Sequence, residues 1–144
     1  MQAQILDLLL HLQKEEHMSL LIITHDLGVV ARLCQRVMVM YAGQLVETGP
    51  VNQVFHSPQH PYTRALLESR RSLNRPSNEP LIALEGNPPR MQEKKIGCAF
   101  APRCPSAMQI CAKKAPPYEH SLQGSVHCWL PEAKQRKATL EVVP

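Results

Sequence analysis

SLLIITHDLGVVARLCQRVMVMYAGQLVETG, residues 19–49, is the stretch on which the reading of the fold turns. It opens on the apolar run Leu20-Leu21-Ile22-Ile23 and stops at Thr24-His25-Asp26. A short run of branched residues bounded by polar ones predicts a buried strand. Asp26 is placed to cap the next segment, because its carboxylate can accept a backbone N–H two or three residues on. Leu27, Val30, Ala31 and Cys34 then recur at helical spacing. Val37–Tyr41 reads as a second strand, Ala42-Gly43 as a turn and Gln44–Thr48 as a third strand. The expected class is α/β, with His25 at the carboxyl end of the first strand, the edge where α/β sheets bind ligands.

Outward from this stretch, Gln2–Lys14 reads as an amphipathic helix with Ile5, Leu8, Leu9 and Leu12 on one face, ended by the polar turn Lys14-Glu15-Glu16-His17. Pro50 sits where a helix can begin, with Val51, Val54 and Phe55 as its packing face. A second helix start falls at Pro61, with Leu66-Leu67 on one face and His60 and Tyr62 in a packed turn. Arg71–Pro80 reads as a linker, Leu81–Leu84 as a short strand and Glu85–Pro89 as a turn.

The 144 residues suit one ordinary domain, but the two halves differ. Residues 1–70 hold five Lys/Arg and six Asp/Glu; residues 71–144 hold eleven and six, and ten of the thirteen prolines. That shift places a boundary near Arg71, between a regular α/β piece and an irregular one. With aromatics at only 4%, the expected core is Leu, Val, Ile and Met. No apolar run is long enough to span a bilayer. The first residues lack a basic leader and a cleavage site, which points to the cytosol. Thiols are usually reduced there, so five cysteines favour metal or redox chemistry over disulfides.

Four of them, Cys98, Cys104, Cys111 and Cys128, are spaced C-x5-C-x6-C-x16-C. Four thiolates can enclose a Zn²⁺ ion or an iron–sulfur cluster. Zinc sites usually carry C-x2-C knuckles, which are absent here, whereas wide loops and Cys104-Pro105 suit the larger perimeter of a cluster. Spacing alone leaves iron–sulfur, zinc and no metal open. The segment 85–131 is rich in proline and poor in large apolar side chains, so a staple is expected there. Cys34, on a helical apolar face, reads as a buried free thiol. His120 and His127 are weaker ligand candidates, because four cysteines already complete a set.

Three motif groups and the first helix carry a resemblance. Ile23-Thr24-His25-Asp26-Leu27 with Val39-Met40-Tyr41-Ala42-Gly43, and then Val46-Glu47 and Gly49, resembles the end of an ABC-transporter ATPase domain. Gln2-Ala3-Gln4-Ile5 resembles the helix that follows the Walker B strand in that family. His60-Pro61-Tyr62-Thr63 with Ala65-Leu66-Leu67, and the tail GCAFAPRCPSAMQIC, resemble the C-terminal extension of oligopeptide and dipeptide transporter ATPases. The resemblance covers about residues 2–130. It implies the C-terminal portion of an ABC-type nucleotide-binding domain over residues 1–56, an irregular Cys-rich extension over 57–130, and a disordered tail over 131–144. It implies His25 as the switch-loop residue that senses the γ-phosphate of ATP with Mg²⁺. It also implies a [4Fe–4S] cluster on the four cysteines, with Zn²⁺ as the alternative. The implied function is coupling of ATP binding and hydrolysis to dipeptide or oligopeptide uptake. The implied partners are a second ABC ATPase subunit, transmembrane permease subunits and, indirectly, a peptide-binding protein, at the cytoplasmic side of the inner membrane. One departure is Gln35, where the family often has an acid.

No pair of the six glycines has the spacing of the phosphate-binding loop G-x-x-x-x-G-K-[ST], and no Gly-Gly-Gln motif occurs. Most parts that phosphoryl transfer requires are therefore absent from these residues. The expectation is a piece of a larger protein, or a truncated copy, that does not hydrolyse ATP alone. The competing reading is a small four-cysteine metal-binding module that binds nucleic acid or a protein partner. The net charge of +5 after residue 70 favours it, while scattered basic residues and few aromatics speak against nucleic acid.

Overall fold

The computed structural model describes residues 2–72, 87, 96–118 and 124–131. The expected strand at 81–84, most of the linker, His120 and the tail after 131 lie outside the described residues, as does all of the 85–89 turn except Asn87. The chain forms two compact units, residues 1–35 and 36–144.

The first unit holds α1 (Gln2–Glu15) and α2 (Leu27–Leu33). Asp26 caps α2 as expected: its Oδ1 accepts the N–H groups of Gly28 at 2.7 Å and Val29 at 3.4 Å. The Arg32 guanidinium of α2 donates to Asp7 of α1 at 2.7 Å, an exposed pair worth little in water. The apolar side chains of the unit are largely uncovered. Ile5 is 59% and Leu8 57% exposed, while on α2 Val29 and Val30 are buried and Ala31 is exposed.

The expected first strand does not form. Residues 18–24 make no ladder, and Ile23 is 95% exposed. The physical reason is that an apolar strand of this kind is stable only between paired neighbours with both sheet faces covered. No described strand pairs with it.

The second unit begins with the expected hairpin. β1 (Arg36–Tyr41) and β2 (Gln44–Pro50) run antiparallel from Arg36↔Pro50 to Tyr41↔Gln44. Ala42 (φ 49°) and Gly43 (φ 78°) form the turn, both left-handed as a two-residue hairpin whose twist matches its strands requires. A bulge falls between Val39 and Met40, opposite Val46. Pro50 then starts α3 (Val51–His56), which buries Val51 and Val54. α4 (Pro61–Ser72) follows, so the expected linker at Arg71 gives way to helix up to Ser72.

The tail is less irregular than its composition suggests. After a 3-10 turn at Ala101–Arg103 and α5 (Gln109–Lys113), residues Ser125–Val126 form β3, which adds to β2 as a third antiparallel strand. The sheet order is β1-β2-β3.

The core of this unit combines Val39, Tyr41, Val46 and Val54 with Ala99 and Phe100 of the tail. Phe100 is 1% exposed. Its ring meets Tyr41 edge-on at 5.2 Å and Tyr62 at 5.5 Å, while Tyr41 and Tyr62 lie 4.7 Å apart. Three rings in offset and T-shaped contact add to what their area alone contributes. Of the Leu, Val, Ile and Met expected from composition, this core takes valine; Tyr41 and Phe100 supply the aromatic part that composition did not suggest. Met38 and Met40 face outward and are exposed.

Candidate functional site

The four tail cysteines reach one place by four separate routes. Gly97 allows the first: a Cβ there would lie 2.2 Å from the Cys111 carbonyl oxygen, so only glycine lets the two backbones approach. The Cys98 N–H then donates to the Cys111 carbonyl at 2.8 Å. The 3-10 turn carries the chain from Cys98 to Cys104, with the Cys104 N–H on the Ala101 carbonyl. α5 supplies Cys111, which is buried. Cys128 follows β3 by two residues: the His127 N–H donates to the Val46 carbonyl at 2.8 Å, and the Thr48 and Ser125 hydroxyls lie 3.0 Å apart. Gly124 (φ 132°) passes so close to β2 that a Cβ would lie 2.6 Å from the Thr48 carbonyl oxygen.

Cys98, Cys104, Cys111 and Cys128 line one pocket of about 300 Å³, counting its open mouth. His60, Phe100 and Trp129 share its wall. All four are free thiols. Burial raises the Cys98, Cys104 and Cys128 thiols above their ordinary pKa, Cys128 to about 11, and the negative charge of neighbouring cysteines raises each further. Backbone N–H groups act the other way and favour thiolate: Phe100 and Ala101 at Cys98, Ser106 at Cys104, and Leu130 at Cys128. Three thiols that repel one another as anions, yet each meet a backbone donor, are groups that a bound cation would bring into the thiolate state.

The four do not converge on a single point. Among the described residues, no three His, Cys, Asp or Glu side chains are placed to hold one metal ion. A zinc ion with Zn–S bonds of about 2.3 Å needs sulfurs roughly 3.8 Å apart.

Two residues that sequence reasoning left out of the site support it. Glu47 is 4% exposed on β2, and its two oxygens accept the N–H groups of Gln59 at 2.7 Å and His60 at 3.0 Å. That carboxylate joins the hairpin to the start of α4, where the helix dipole also favours negative charge. The signal for it was an acid on a strand otherwise turned inward, at the residue paired with buried Val39. His60, read only as part of a packed turn, is 1% exposed. Its Nδ1 accepts the Tyr62 N–H at 3.1 Å, and burial, followed by the charges of His127 and Arg64, lowers its pKa to about 4. His127 is engaged elsewhere: its Nε2 donates to the Pro116 carbonyl, and its ring packs edge-on against Tyr118.

His25 is exposed just before the Asp26 cap, on a segment that forms no ladder. It belongs to the first unit, whereas the cysteines belong to the second. Cys34, expected on the apolar face of α2, is its C-cap residue and is half-buried.

Helices around a small antiparallel sheet are what the C-terminal end of an ABC-type ATP-binding domain would contribute. Residues 46–111 match the family described as the oligopeptide/dipeptide transporter, C-terminal region. The chain is 44% identical over 134 residues to the dipeptide transport ATP-binding protein DppD of Haemophilus influenzae, covering 93% of this chain and 40% of that protein. It is 48% identical over 130 residues to the oligopeptide transport ATP-binding protein OppD of Bacillus subtilis, covering 90% of this chain and 36% of that one. By sequence, the chain is similar to a part of the ATP-binding proteins of dipeptide and oligopeptide transport. It spans about two fifths of the length of these relatives.

Proposed function

We propose that this chain serves as the C-terminal part of the ATP-binding subunit of a peptide importer, and that its extension holds a [4Fe–4S] cluster on Cys98, Cys104, Cys111 and Cys128. The observation that carries the second half is the meeting of these four cysteines in one pocket from four separate backbone segments. The wide spacing C-x5-C-x6-C-x16-C, without a C-x2-C knuckle, supports a cluster over a single Zn²⁺ ion, because a cluster bridges a wider perimeter. When bound, it would supply covalent ties and a one-electron couple. The chain's own residues present the thiols, meet three of them with backbone N–H groups and wall the pocket with Phe100 and Trp129.

The first half rests on the printed functions of the relatives, which are dipeptide and oligopeptide transport ATP-binding proteins. In the assembled importer, His25 meets the γ-phosphate of ATP, held with Mg²⁺ by residues outside this sequence. A neutral imidazole can donate one hydrogen bond and accept another, which suits a sensor of that phosphate. The exposed apolar side chains of α1 and of residues 20–23 fit a segment that packs against the rest of such a domain. The partners in this reading are a second ATP-binding subunit and the permease, with a peptide-binding protein acting through them, at the cytoplasmic side of the inner membrane. Among the described residues, no helix is long and apolar enough to cross a membrane. No comparison favours an independent module that binds nucleic acid.

Calorimetric titration of Mg–ATP into the 144-residue chain tests the division of labour. No binding is expected; tight magnesium-dependent binding would overturn it. In the assembled importer, His25→Ala should abolish peptide-stimulated phosphate release while nucleotide binding persists. Unchanged release would remove His25 from the proposed role.

A further inference from the structure

We propose that Cys98 and Cys111 are a redox pair: in the metal-free chain a small-molecule disulfide oxidises them to a Cys98–Cys111 disulfide, which closes the four-cysteine site. The inference goes beyond the cluster reading above and does not depend on it.

The main chains of the two residues are already tied together, since the Cys98 N–H donates to the Cys111 carbonyl at 2.8 Å. With standard backbone dimensions, that bond keeps the two Cα atoms within about 6.7 Å of each other. Disulfides form across Cα separations of about 4.4–6.8 Å, so side-chain rotation can close the bond on the backbone as it stands. Both side chains line the same pocket, and the charge of Cys111 acts on the Cys98 thiol. Gly97 fixes the approach, because a Cβ there would also lie 2.9 Å from the Ala112 carbonyl oxygen. Among the described residues, no backbone hydrogen bond joins Cys104 or Cys128 to another of the four. Cys34 belongs to the other unit. Cys98 is half-buried and Cys111 buried, so attack begins at Cys98. Its sulfur displaces one half of oxidised glutathione, giving a mixed disulfide and one glutathione thiol, which keeps the proton. The Cys111 sulfur then attacks Cys98 Sγ and expels the second glutathione, which takes the Cys111 proton. Two electrons pass from the two cysteines to the two glutathiones. The closed loop holds the 3-10 turn, and cross-linking it restricts the unfolded chain, so the oxidised form is the more stable one.

The test equilibrates the metal-free 144-residue chain with oxidised or reduced glutathione, and maps the bonds by mass. Cleavage after Arg103 and Met108 puts Cys98, Cys104 and Cys111 on different peptides. The oxidised wild type should show Cys98 joined to Cys111, and the reduced one no bond. A bond between another pair, or none, overturns the inference. The Cys104→Ser/Cys128→Ser chain should close at the wild-type rate. The Cys111→Ser chain should close at least about tenfold more slowly, with glutathione left on Cys98, because no other pair is held by the backbone. Equal rates in all three chains overturn the pairing, and the wild-type map decides if a variant fails to fold. Anaerobic uptake of ferrous iron and sulfide is measured apart. A reduced chain that loads, beside an oxidised one that loads only after thiol is restored, supports the closure. An oxidised chain that loads like the reduced one overturns it. A reduced chain that never loads removes the cluster reading and leaves the mapped disulfide standing.

Discussion

The two units of this chain treat their apolar residues in opposite ways. Residues 36–131 draw Phe100, Val54 and Val46 below 5% exposure around a three-stranded sheet, and recruit the proline-rich tail to do so. Residues 1–35 leave Ile5, Leu8, Leu21 and Ile23 in the open, although this half has the more regular hydrophobic pattern. The difference shows that pattern states what a segment would bury and not whether the surface that buries it is at hand. Hairpin, α3, α4 and tail supply one another's covering.

The comparison is most easily broken at Phe100. Phe100→Ala should destabilise the second unit by about 3–5 kcal/mol, as for a large buried aromatic, measured by urea unfolding followed in the near-ultraviolet signal of Tyr41 and Tyr62. A loss under about 1 kcal/mol would mean that the tail is not part of the core. Gly97→Ala should cost about 1–3 kcal/mol, because the clash is with backbone that has little room to yield. It should also lower metal loading, since it pries Cys98 from Cys111. Full loading would show that their pairing does not build the site. Glu47→Ala leaves the Gln59 and His60 N–H groups unpaired and should cost about 1–3 kcal/mol, with Glu47→Gln intermediate. Equal losses for the two substitutions would argue that packing, not hydrogen bonding, is what Glu47 provides.

In the first unit the expected effects are smaller. Asp26→Ala should lower helicity near α2 at a cost of about 1 kcal/mol, read by circular dichroism. Ile23→Ala in the 144-residue chain should change stability by no more than about 0.5 kcal/mol, the usual range for an exposed site. A loss comparable to that at Phe100 would erase the contrast between the units.

Local chemistry explains which features were legible in the sequence. The Asp26 cap follows from a carboxylate two and three residues before N–H groups that need an acceptor, and it needs nothing from elsewhere in the chain. The hairpin follows from Ala42-Gly43 between alternating strands, because a turn fixes its own register. The failed strand at Leu20–Ile23 had as strong a local signal, but a ladder requires a neighbour that local sequence cannot supply. Phe100 was hidden for the converse reason. It lies in a segment whose composition suggests no core, and it is buried by residues 41 and 62 brought there by the fold. The cysteines were legible as a set from type and family pattern. Their meeting through Gly97 and β3 was not, because neither a glycine contact nor a two-residue strand has a distinctive local signature.

The most direct test of the account is to count iron and acid-labile sulfide in the anaerobically purified chain and record its visible spectrum. The account predicts a brown protein with about four of each per chain and a broad visible absorption that bleaches on reduction. It predicts that the Cys98→Ser/Cys128→Ser chain is colourless. A colourless wild type that binds zinc or nothing, or a double variant that keeps its iron, would contradict it.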